Sequence, residues 1–402
     1  MVIDIVKKEI VNGSIPAKTD MSSTYALISN LIKISSISSD DKSEGLDIAA
    51  KFVQKWLKSH GLDAKIIEFK KGYPVVVAEI GNGKRTILLN GHVDVVPHGD
   101  KSKWSSDPFS GHISGNKIYG RGASDMKAGL GVLMSIMAEL NGNIDYKLIF
   151  TCVSDEETGG FNCSKYLAEK YNPDLVLVAE PTGPSLIGVG EKGVLHIKVI
   201  TNGKSAHSST PSAGSNAIML MLEDLRRLSK ISSIKIKTPQ KTKLILNNSA
   251  TVFGNDLRIV TSNAAVIYGG TKANMVPDHC EADVDIRIPP GTSGRETLKM
   301  VKSLIKNGKV ILCPSSESNL TDINNSQVLS FKKSAESMVG STKFVISPGA
   351  SDGRFFRYKN VPTIVYGPGG YKTAHSYNEC VDLREIKSIY AVYKDFLFNL
   401  RK

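Results

Sequence analysis

Short apolar runs alternate with amphipathic segments through the first half of the chain. Residues 85–90, 147–153 and 174–179 are rich in leucine and β-branched side chains, a composition typical of buried strands. Residues 126–140 and 162–171 carry apolar side chains at helical spacing. Strands that alternate with helices in this way predict an α/β fold in which helices cover a mostly parallel central sheet.

A different order of elements begins near residue 188. The pattern there is one strand, a helix, two strands, a helix and a last strand, which is the ferredoxin-like order βαββαβ. In chain order, the predicted strands and helices are residues 194–200, 215–228, 264–268, 281–288, 293–306 and 309–313. Residues 231–260 interrupt this pattern, and we interpret them as an insertion because they are rich in Lys, Asn and Ser.

The α/β pattern then resumes, with a strand at residues 362–366 and a final helix at residues 385–400. The smaller domain is therefore predicted to be inserted into the larger one. We place the larger domain at residues 1–187 and 319–402, and the inserted domain at residues 188–318. Two domains suit a chain of 402 residues, since single domains usually have about 100–200.

Composition and charge exclude several classes of protein. The net charge of +12 is spread along the chain, so we expect no nucleic-acid partner. The longest apolar stretch, residues 130–140, is shorter than the roughly 18–20 residues that cross a bilayer, and charges interrupt residues 1–10. We therefore expect no membrane partner and no export signal. Five scattered cysteines argue against a disulfide framework and for a cytoplasmic location.

Polar side chains follow three of the predicted strands. Residues 90–94 (NGHVD), 155–157 (DEE) and 180–182 (EPT) come directly after the strands, and residues 120–127 lead into the following helix. Ligands of an open parallel sheet bind beyond the carboxyl ends of its strands, so these groups should converge. Carboxylates and an imidazole gathered in one crevice would repel or titrate unless positive charge lay among them. The sequence therefore predicts a pair of divalent metal ions.

The donor types narrow the choice of metal and suggest two roles. Imidazole and carboxylate ligands without thiolates suit catalytic Zn²⁺, Co²⁺ or Mn²⁺. Residues two apart share one face of a strand, so Asp94 can orient His92 from behind. A pair of neighbouring glutamates allows one to ligate and the other to accept a proton from water. The alternative at this point is a solvated acidic loop beside a surface histidine.

Several longer motifs match one known family. From about residue 90 to its end, the chain resembles the M20 metallopeptidases and deacylases, which include acetylornithine deacetylase, succinyl-diaminopimelate desuccinylase, aminoacylase and glutamate carboxypeptidase. The matching pieces, in order, are NGHVDVVP, the stretch from Trp104 to Gly129, SDEETGG, AEPT, GKSAHSSTP, NMVPDHCEADVDIRIPP, GASDGRFF, YGPG and AHSYNECV. The resemblance implies a zinc-peptidase-like catalytic domain and makes the inserted domain a dimerisation or lid domain.

The resemblance also implies a set of ligands for two metal ions, with Zn²⁺ preferred and Co²⁺ or Mn²⁺ as alternatives. One metal would be held by His92 and Glu180 and the other by Glu157 and His375, with Asp125 bridging them.

Further roles follow from the same resemblance. Glu156 would be the general acid/base, and Asp94 would orient His92. In the inserted domain, His207 would stabilise the oxyanion from the partner subunit of a homodimer. Asn274 and Arg287 would hold substrate carboxylate or backbone groups.

The implied reaction is hydrolysis of an amide. We expect removal of an acetyl or succinyl group from an N-acyl amino acid, because the stretch 351–355 (SDGRF) is closer to the desuccinylase-like members. A metal-dependent dipeptidase or carboxypeptidase, acting on short peptides, is the alternative within the family. A metal-binding homologue without catalytic activity is the alternative from another class.

Overall fold

A computed structural model gives the fold of most of the chain. It describes residues 20–39, 43–142, 144–236 and 238–400. Residues 1–10, on which the expected lack of an export signal depends, lie outside the described residues. The chain forms two compact units, which are described separately below. The first comprises Met1–Ile187, Asn324–Thr342 and Lys359–Lys402, and the second comprises Gly188–Ile323 and Lys343–Tyr358.

Strands and helices alternate along most of the described chain. The strands are β1 (Lys65–Glu68), β2 (Pro74–Ile80), β3 (Thr86–His92), β4 (Ile113–Ser114), β5 (Lys117–Tyr119), β6 (Lys147–Val153), β7 (Leu175–Val178), β8 (Leu186–Glu191), β9 (Gly193–Asn202), β10 (Thr261–Gly269), β11 (His279–Ile288), β12 (Lys309–Leu312), β13 (Asn319–Leu320), β14 (Lys343–Ser347), β15 (Thr363–Val365) and β16 (Cys380–Asp382). The helices are α1 (Met21–Ile32), α2 (Leu46–Ser59), α3 (Ala128–Leu140), α4 (Ser164–Lys170), α5 (Ala217–Leu228), α6 (Gln240–Phe253), α7 (Gly294–Leu304), α8 (Ser326–Val339), α9 (Gly353–Arg357) and α10 (Leu383–Asn399). None of these helices has the length and apolar character needed to span a bilayer.

The first unit is built on a mixed sheet with parallel strands at its centre. Its strands run in the order β1, β2, β6, β3, β7, β15. β3 pairs in parallel with both β6 and β7, and β15 pairs in parallel with β7, whereas β1 and β2 are antiparallel. The predicted α/β fold with a mostly parallel central sheet is confirmed here.

Helices cover the sheet of the first unit and explain its apolar strands. β3 and β6 are buried along nearly their whole length, as expected for parallel strands covered on both faces. α1 and α10 pack on α3, α8 packs on α10, and α2 packs on β2. α3 approaches the chain after β7 closely at Gly129, where a Cβ atom would lie 2.0 Å from the carbonyl oxygen of Ala179. Only glycine fits this contact.

The register of the central strands brings their carboxyl ends to one edge. His92 at the end of β3 is opposite Val153 at the end of β6, and Asn90 is opposite Val178 at the end of β7. The polar residues that follow these strands therefore emerge side by side. This places the three predicted strand-end motifs at the same edge of the sheet.

The second unit contains a four-stranded antiparallel sheet in the order β10, β11, β9, β12. α5 packs on β9 and β11, and α7 packs on β9. Alternate residues of β9, such as Leu195 and Ile197, enter the apolar core of this unit. The order along the chain is strand, helix, two strands, helix and strand, with α6 between α5 and β10.

The segment interpreted as an insertion has a defined place within the second unit. It contains α6, which packs on β14. The hydroxyl of Ser249 on α6 accepts a hydrogen bond of 2.7 Å from the backbone N–H of Ile346 on β14. β14 in turn pairs with β8, which also pairs with β13. Polar composition made this helix hard to predict, because a serine provides one of its packing contacts.

Candidate metal centre

Five predicted metal ligands meet at the strand-end edge of the first unit. His92 ends β3, Glu157 follows β6, Glu180 follows β7, Asp125 precedes α3 and His375 precedes β16. Donor atoms of His92, Asp125 and Glu157 lie within 4.8 Å of one another, and so do those of His92, Glu156 and Glu180. The structure therefore brings together every ligand that the resemblance implied for the larger domain, and Glu156 with them.

Asp125 lies between the two histidines. Its Oδ1 is 3.1 Å from Nε2 of His92, and its Oδ2 is 3.4 Å from Nε2 of His375. Nε2 of His92 is also 3.4 Å from Oε1 of Glu180, and Nε2 of His375 is 3.1 Å from Oε2 of Glu157. Both imidazoles therefore contact Asp125. Each also contacts one glutamate, which is Glu180 for His92 and Glu157 for His375. These contacts join the same side chains as the predicted ligand sets, and the division of the ligands between two metals bridged by Asp125 stays a prediction.

Burial and mutual repulsion shift the pKa values of the carboxylates. Burial raises the pKa of Glu180 to about 8, and the nearby charge of Asp125 acts in the same direction. Burial also raises the pKa of Glu157. For Asp125, burial is outweighed by the hydrogen bonds with His375 and His92, and its pKa is lowered.

The pKa values of the two histidines are raised as well, which favours the charged form of each imidazole. Hydrogen bonds with Asp125 and Glu157 raise the pKa of His375 to about 10. Burial disfavours the charged form of His92, but the attraction of Glu180 and the contacts with Asp125 and Asp94 raise its pKa well above the usual value. Protons on the imidazoles therefore supply positive charge among the carboxylates. Divalent cations at the same place would supply it instead.

The donor set fits divalent metals of the predicted kind. The clustered atoms are carboxylate oxygens and imidazole nitrogens, which zinc, cobalt and manganese accept as ligands. Cys152 on β6 is buried, and burial raises the pKa of its thiol. Cys152 is therefore a packing residue.

Asp94 connects His92 to the two glutamates that follow β6. Its carbonyl oxygen lies 2.9 Å from Nδ1 of His92, and its carboxylate oxygen Oδ1 lies 3.5 Å from the same nitrogen. The carboxylate also accepts hydrogen bonds from the backbone N–H groups of Glu156 (3.3 Å) and Glu157 (3.1 Å). Asp94 is fully buried, so these contacts are shielded from water.

Three charged residues near the cluster were not identified from the sequence. Glu379 is fully buried, and its carboxylate binds the backbone before α3 and the guanidinium of Arg121. Lys127 is also fully buried, and its Nζ donates a hydrogen bond of 2.7 Å to the carbonyl of Ile34. Burial lowers the pKa of Lys127 to about 7. All three lie inside matched motifs, but nothing in their spacing indicated burial.

The other predicted site residues, His207, Asn274 and Arg287, belong to the second unit. Two of them lie on neighbouring loops: the backbone N–H of Ser208 donates a hydrogen bond of 3.1 Å to the carbonyl of Asn274. His207 is exposed, and its Nδ1 accepts a hydrogen bond of 3.2 Å from the backbone N–H of Ser209. In a neutral ring this assigns the proton to Nε2, which leaves Nε2 as a donor.

Arg287 is held by a carboxylate on its own strand. Its Nε lies 2.7 Å from Oδ1 of Asp285, and Oδ2 of Asp285 lies 2.7 Å from Nε2 of His196 on β9. Burial opposes the charge of Asp285, but the hydrogen bonds from Arg287 and His196 outweigh it and lower its pKa. Asp285 thus fixes one side of the guanidinium, a contact that the sequence pattern did not reveal.

Comparison with known proteins shows to which family this sequence belongs. Residues 88–399 match the profile of Peptidase family M20/M25/M40. A probable succinyl-diaminopimelate desuccinylase of Staphylococcus aureus (strain N315) is 30% identical over 373 residues, which cover 86% of this chain and 89% of the relative. An acetylornithine deacetylase of Aliivibrio fischeri (strain MJ11) is 27% identical, over 92% of this chain and 96% of the relative.

A solved structure has a fold similar to that of this chain. An M20 family metallo-carboxypeptidase from Sulfolobus solfataricus, Sso-CP2, superposes with a TM-score of 0.77 and 23% sequence identity, over 94% of this chain and 99% of the other. At this identity the likeness concerns the fold alone. The sequence match extends over most of the chain and includes the clustered histidines and carboxylates, and so this protein belongs to Peptidase family M20/M25/M40, a family of metal-dependent hydrolases.

Proposed function

We propose that this hydrolase removes an acyl group, of the acetyl or succinyl type, from an N-acyl amino acid. The observation that carries the hydrolytic step of this proposal is the position of Glu156. Its donor atom lies within 4.8 Å of those of His92 and Glu180, while Asp94 fixes the backbone N–H groups of Glu156 and Glu157. Two neighbouring glutamates are thus presented to the same cluster, and we assign the proton transfer to Glu156.

His92, Glu180, Glu157 and His375 would hold two divalent ions, with Asp125 between them. Bound zinc, cobalt or manganese polarises an amide carbonyl and lowers the pKa of water. We propose Zn²⁺ as the native metal, as the resemblance to the M20 metallopeptidases implies, and imidazole and carboxylate donors also accept the alternatives Co²⁺ and Mn²⁺. The family is metal-dependent, which supports the assignment of these donors as ligands.

Glu156 performs the proton transfers in this mechanism. Its carboxylate accepts a proton from the attacking water and returns it to the nitrogen of the departing amine. His207 donates its Nε2–H to the oxygen on which negative charge develops. The contact of its Nδ1 with the backbone N–H of Ser209 supports this role, because that contact fixes the tautomer in which Nε2 carries the proton.

Arg287 and Asn274 would hold the carboxylate or backbone groups of the substrate. Asp285 occupies the Nε side of the Arg287 guanidinium, so the terminal nitrogens are the part that can meet a carboxylate. A substrate carboxylate is present both in N-acyl amino acids and in peptides with a free C-terminus. This contact therefore supports either substrate class.

We also propose that the protein is a homodimer formed through the second unit. Among the described residues, β10 pairs with β11 along one edge, and its other edge has no strand partner. Ile267 and Tyr268 on β10 have exposed fractions of 46% and 71%, and Met219 and Leu222 on the neighbouring α5 are also exposed. An exposed, apolar edge strand is a site for pairing with another chain.

The relatives named as desuccinylase and deacetylase support the acyl-removing activity. The second candidate is a metal-dependent dipeptidase or carboxypeptidase, and the likeness to a carboxypeptidase fold keeps it open. The cytoplasmic location stays a prediction.

A substrate panel tests the proposal. Protein treated with a chelator and reloaded with Zn²⁺, Co²⁺ or Mn²⁺ is assayed on N-acetylornithine, N-succinyl-diaminopimelate, other N-acyl amino acids and simple dipeptides. Metal-dependent hydrolysis with a higher kcat/KM on the acyl amino acids is the expected result. Preferential cleavage of dipeptides would replace the proposal by the second candidate.

A further inference from the structure

We propose that Arg121 and Glu379 form a buried ion pair that positions two metal-binding side chains, Asp125 and His375. The inference rests on the proposed roles of Asp125 and His375 as metal ligands. Neither member of the pair belongs to the ligand set, and neither touches a reacting atom. Each acts through the backbone of a ligand.

The pair is shielded from solvent. Glu379 is fully buried and Arg121 has an exposed fraction of 3%, and Oε2 of Glu379 lies 2.6 Å from Nη1 of Arg121. Charges in such a place need each other, because removing one leaves the other buried with its charge uncompensated. This buried ion pair therefore holds the segments that contain Arg121 and Glu379 in one arrangement.

Glu379 fixes the backbone of the bridging carboxylate. Its Oε1 accepts hydrogen bonds from the backbone N–H of Ser124 (2.8 Å) and from that of Asp125 (3.1 Å). The side chain of Asp125 then extends between the imidazoles of His92 and His375. A shift of this backbone would move Asp125 away from both imidazoles.

Arg121 fixes the backbone of His375. Its Nη2 donates a hydrogen bond of 3.4 Å to the carbonyl of His375, and its Nη1 donates one of 3.2 Å to the carbonyl of Ser376. His375 has a φ of 59°, in the left-handed region that residues other than glycine rarely adopt. Such a conformation persists only where surrounding contacts hold it.

The indole ring of Trp104 also helps to hold the guanidinium of Arg121. The ring of Trp104 lies 5.2 Å from the centre of the Arg121 guanidinium, and the indole N–H of Trp104 donates a hydrogen bond of 2.9 Å to the carbonyl of His98. A planar guanidinium can stack on the indole and donate in several directions at once, whereas a lysine ammonium cannot reproduce this geometry. The position therefore requires arginine specifically.

Two conservative variants test the inference. Arg121→Lys keeps the positive charge beside Glu379 but loses the fork that reaches His375, and Glu379→Gln keeps the shape but loses the charge. We expect both to weaken Co²⁺ binding about 10- to 100-fold, as contacts behind metal ligands do in other proteins. At saturating metal we expect a lower kcat with KM changed less than about twofold, because the substrate contacts are unaltered.

Metal affinity is measured by titrating chelator-treated protein with Co²⁺ and recording its visible absorption, which does not depend on turnover. Leu57→Ala is the matched control, because Leu57 is fully buried on α2 of the same unit, and α2 packs on β1 and β2, which carry none of the clustered side chains. This control should lower Tm while Co²⁺ affinity and spectrum stay as in the wild type.

The outcomes separate this inference from the proposed function. A wild type that binds Co²⁺ but cleaves no amide would overturn the proposed function and leave the affinity measurement informative. Wild-type Co²⁺ affinity and spectrum in both variants would overturn the positioning role. The positioning role would also be overturned if Leu57→Ala lost Co²⁺ affinity in proportion to its loss of Tm, because the weaker binding would then reflect general stability.

Discussion

Asp94 approaches His92 more closely through its backbone than through its side chain. The carbonyl oxygen lies 2.9 Å from Nδ1 of His92, and the carboxylate oxygen lies 3.5 Å away. The carboxylate also accepts the backbone N–H groups of Glu156 and Glu157. Asp94 therefore links the end of β3 to the turn after β6, so that the proposed metal ligand His92 and the proposed acid/base Glu156 share a support.

The first prediction concerns this link. Asp94→Ala should lower metal affinity about 10- to 100-fold and also lower kcat, because the Glu156–Glu157 turn loses its acceptor. Asp94→Asn should have a smaller effect on affinity, since an amide oxygen still accepts one N–H. Isothermal titration with Zn²⁺ and steady-state kinetics check both variants. Asp63→Ala, at an exposed carboxylate, is the control, and equal behaviour of Asp94→Ala and Asp63→Ala would contradict the prediction.

The linkage between His92 and Asp94 shows how far the sequence could predict the site. The spacing of two residues predicted that Asp94 lies beside His92, and the two are in contact, but β3 ends at His92 and the closest contact is made by the backbone carbonyl of Asp94. The additional contacts of Asp94 with Glu156 and Glu157 depend on the turn after β6, and residue spacing carries no information about which backbone groups face inward there.

The fold, too, could be predicted only in part from residue spacing. Apolar runs predicted the central strands β3, β6 and β7, since buried parallel strands are continuously apolar. Helix α6 was interpreted only as an insertion, because its polar residues, including Ser249, pack on β14. Glu379 and Arg121 were missed for a related reason: buried charge pairs depend on residues far apart in the chain, and a charged side chain in the sequence predicts exposure.

The second prediction concerns protons displaced by metal. In the metal-free cluster the pKa of His375 is raised to about 10 and that of Glu180 to about 8, so both groups carry protons at pH 7. Zn²⁺ must displace these protons, and its apparent affinity should rise with pH. Calorimetric titration at pH 7 in buffers of different ionisation enthalpy should show proton release. Zn²⁺ binding without proton release would contradict these pKa shifts.

The same shifts predict how the stability of the metal-free protein depends on pH. A histidine with a raised pKa stabilises the fold below its unfolded pKa and loses that effect as pH rises through about 10. The raised pKa of Glu180 acts in the same direction: stability falls as pH rises from about 4.5, the usual glutamate value, and the loss is complete once pH has passed about 8. Thermal unfolding of the metal-free protein should therefore show a Tm that falls between pH 7 and 10, while a zinc-loaded sample should not. A metal-free Tm that rises over this range would contradict the prediction.

The third prediction tests whether His207 acts across a dimer. Glu156→Gln and His207→Ala should each be nearly inactive as a pure protein. If His207 serves the partner's site, a mixed dimer contains one site with both residues intact. Equal amounts, unfolded and refolded together, should then regain about a quarter of the wild-type kcat, since half of the dimers are mixed and each has one working site.

The control for this mixing experiment is the combination of Glu156→Gln with a second Glu156→Gln sample, which should stay inactive. Sedimentation establishes that the mixture is dimeric. A dimeric mixture that regains no activity would place His207 and Glu156 in the same protomer, and a fully active monomer would remove the dimer proposal.

The fourth prediction concerns recognition of the substrate carboxylate. Arg287→Ala should lower kcat/KM about 10- to 100-fold, mainly through KM, because a charged hydrogen bond contributes roughly 1.5–3 kcal/mol. Asp285→Asn removes the charge beside the guanidinium and keeps Arg287, so its KM should change much less. A substrate with its carboxylate esterified should not distinguish wild type from Arg287→Ala. Discrimination between them with the ester would assign Arg287 a different role.

The most direct test of the account combines metal binding with turnover in one titration. Chelator-treated wild type and Glu156→Gln receive increasing Zn²⁺ while hydrolysis of an N-acyl amino acid is followed, with Glu169→Gln as the control at an exposed glutamate. We expect two zinc ions to bind to every sample. Wild type and Glu169→Gln should become active together, and Glu156→Gln should have a kcat lower by about 10²–10⁴. Normal turnover of Glu156→Gln, or wild-type hydrolysis that does not depend on metal, would contradict the account.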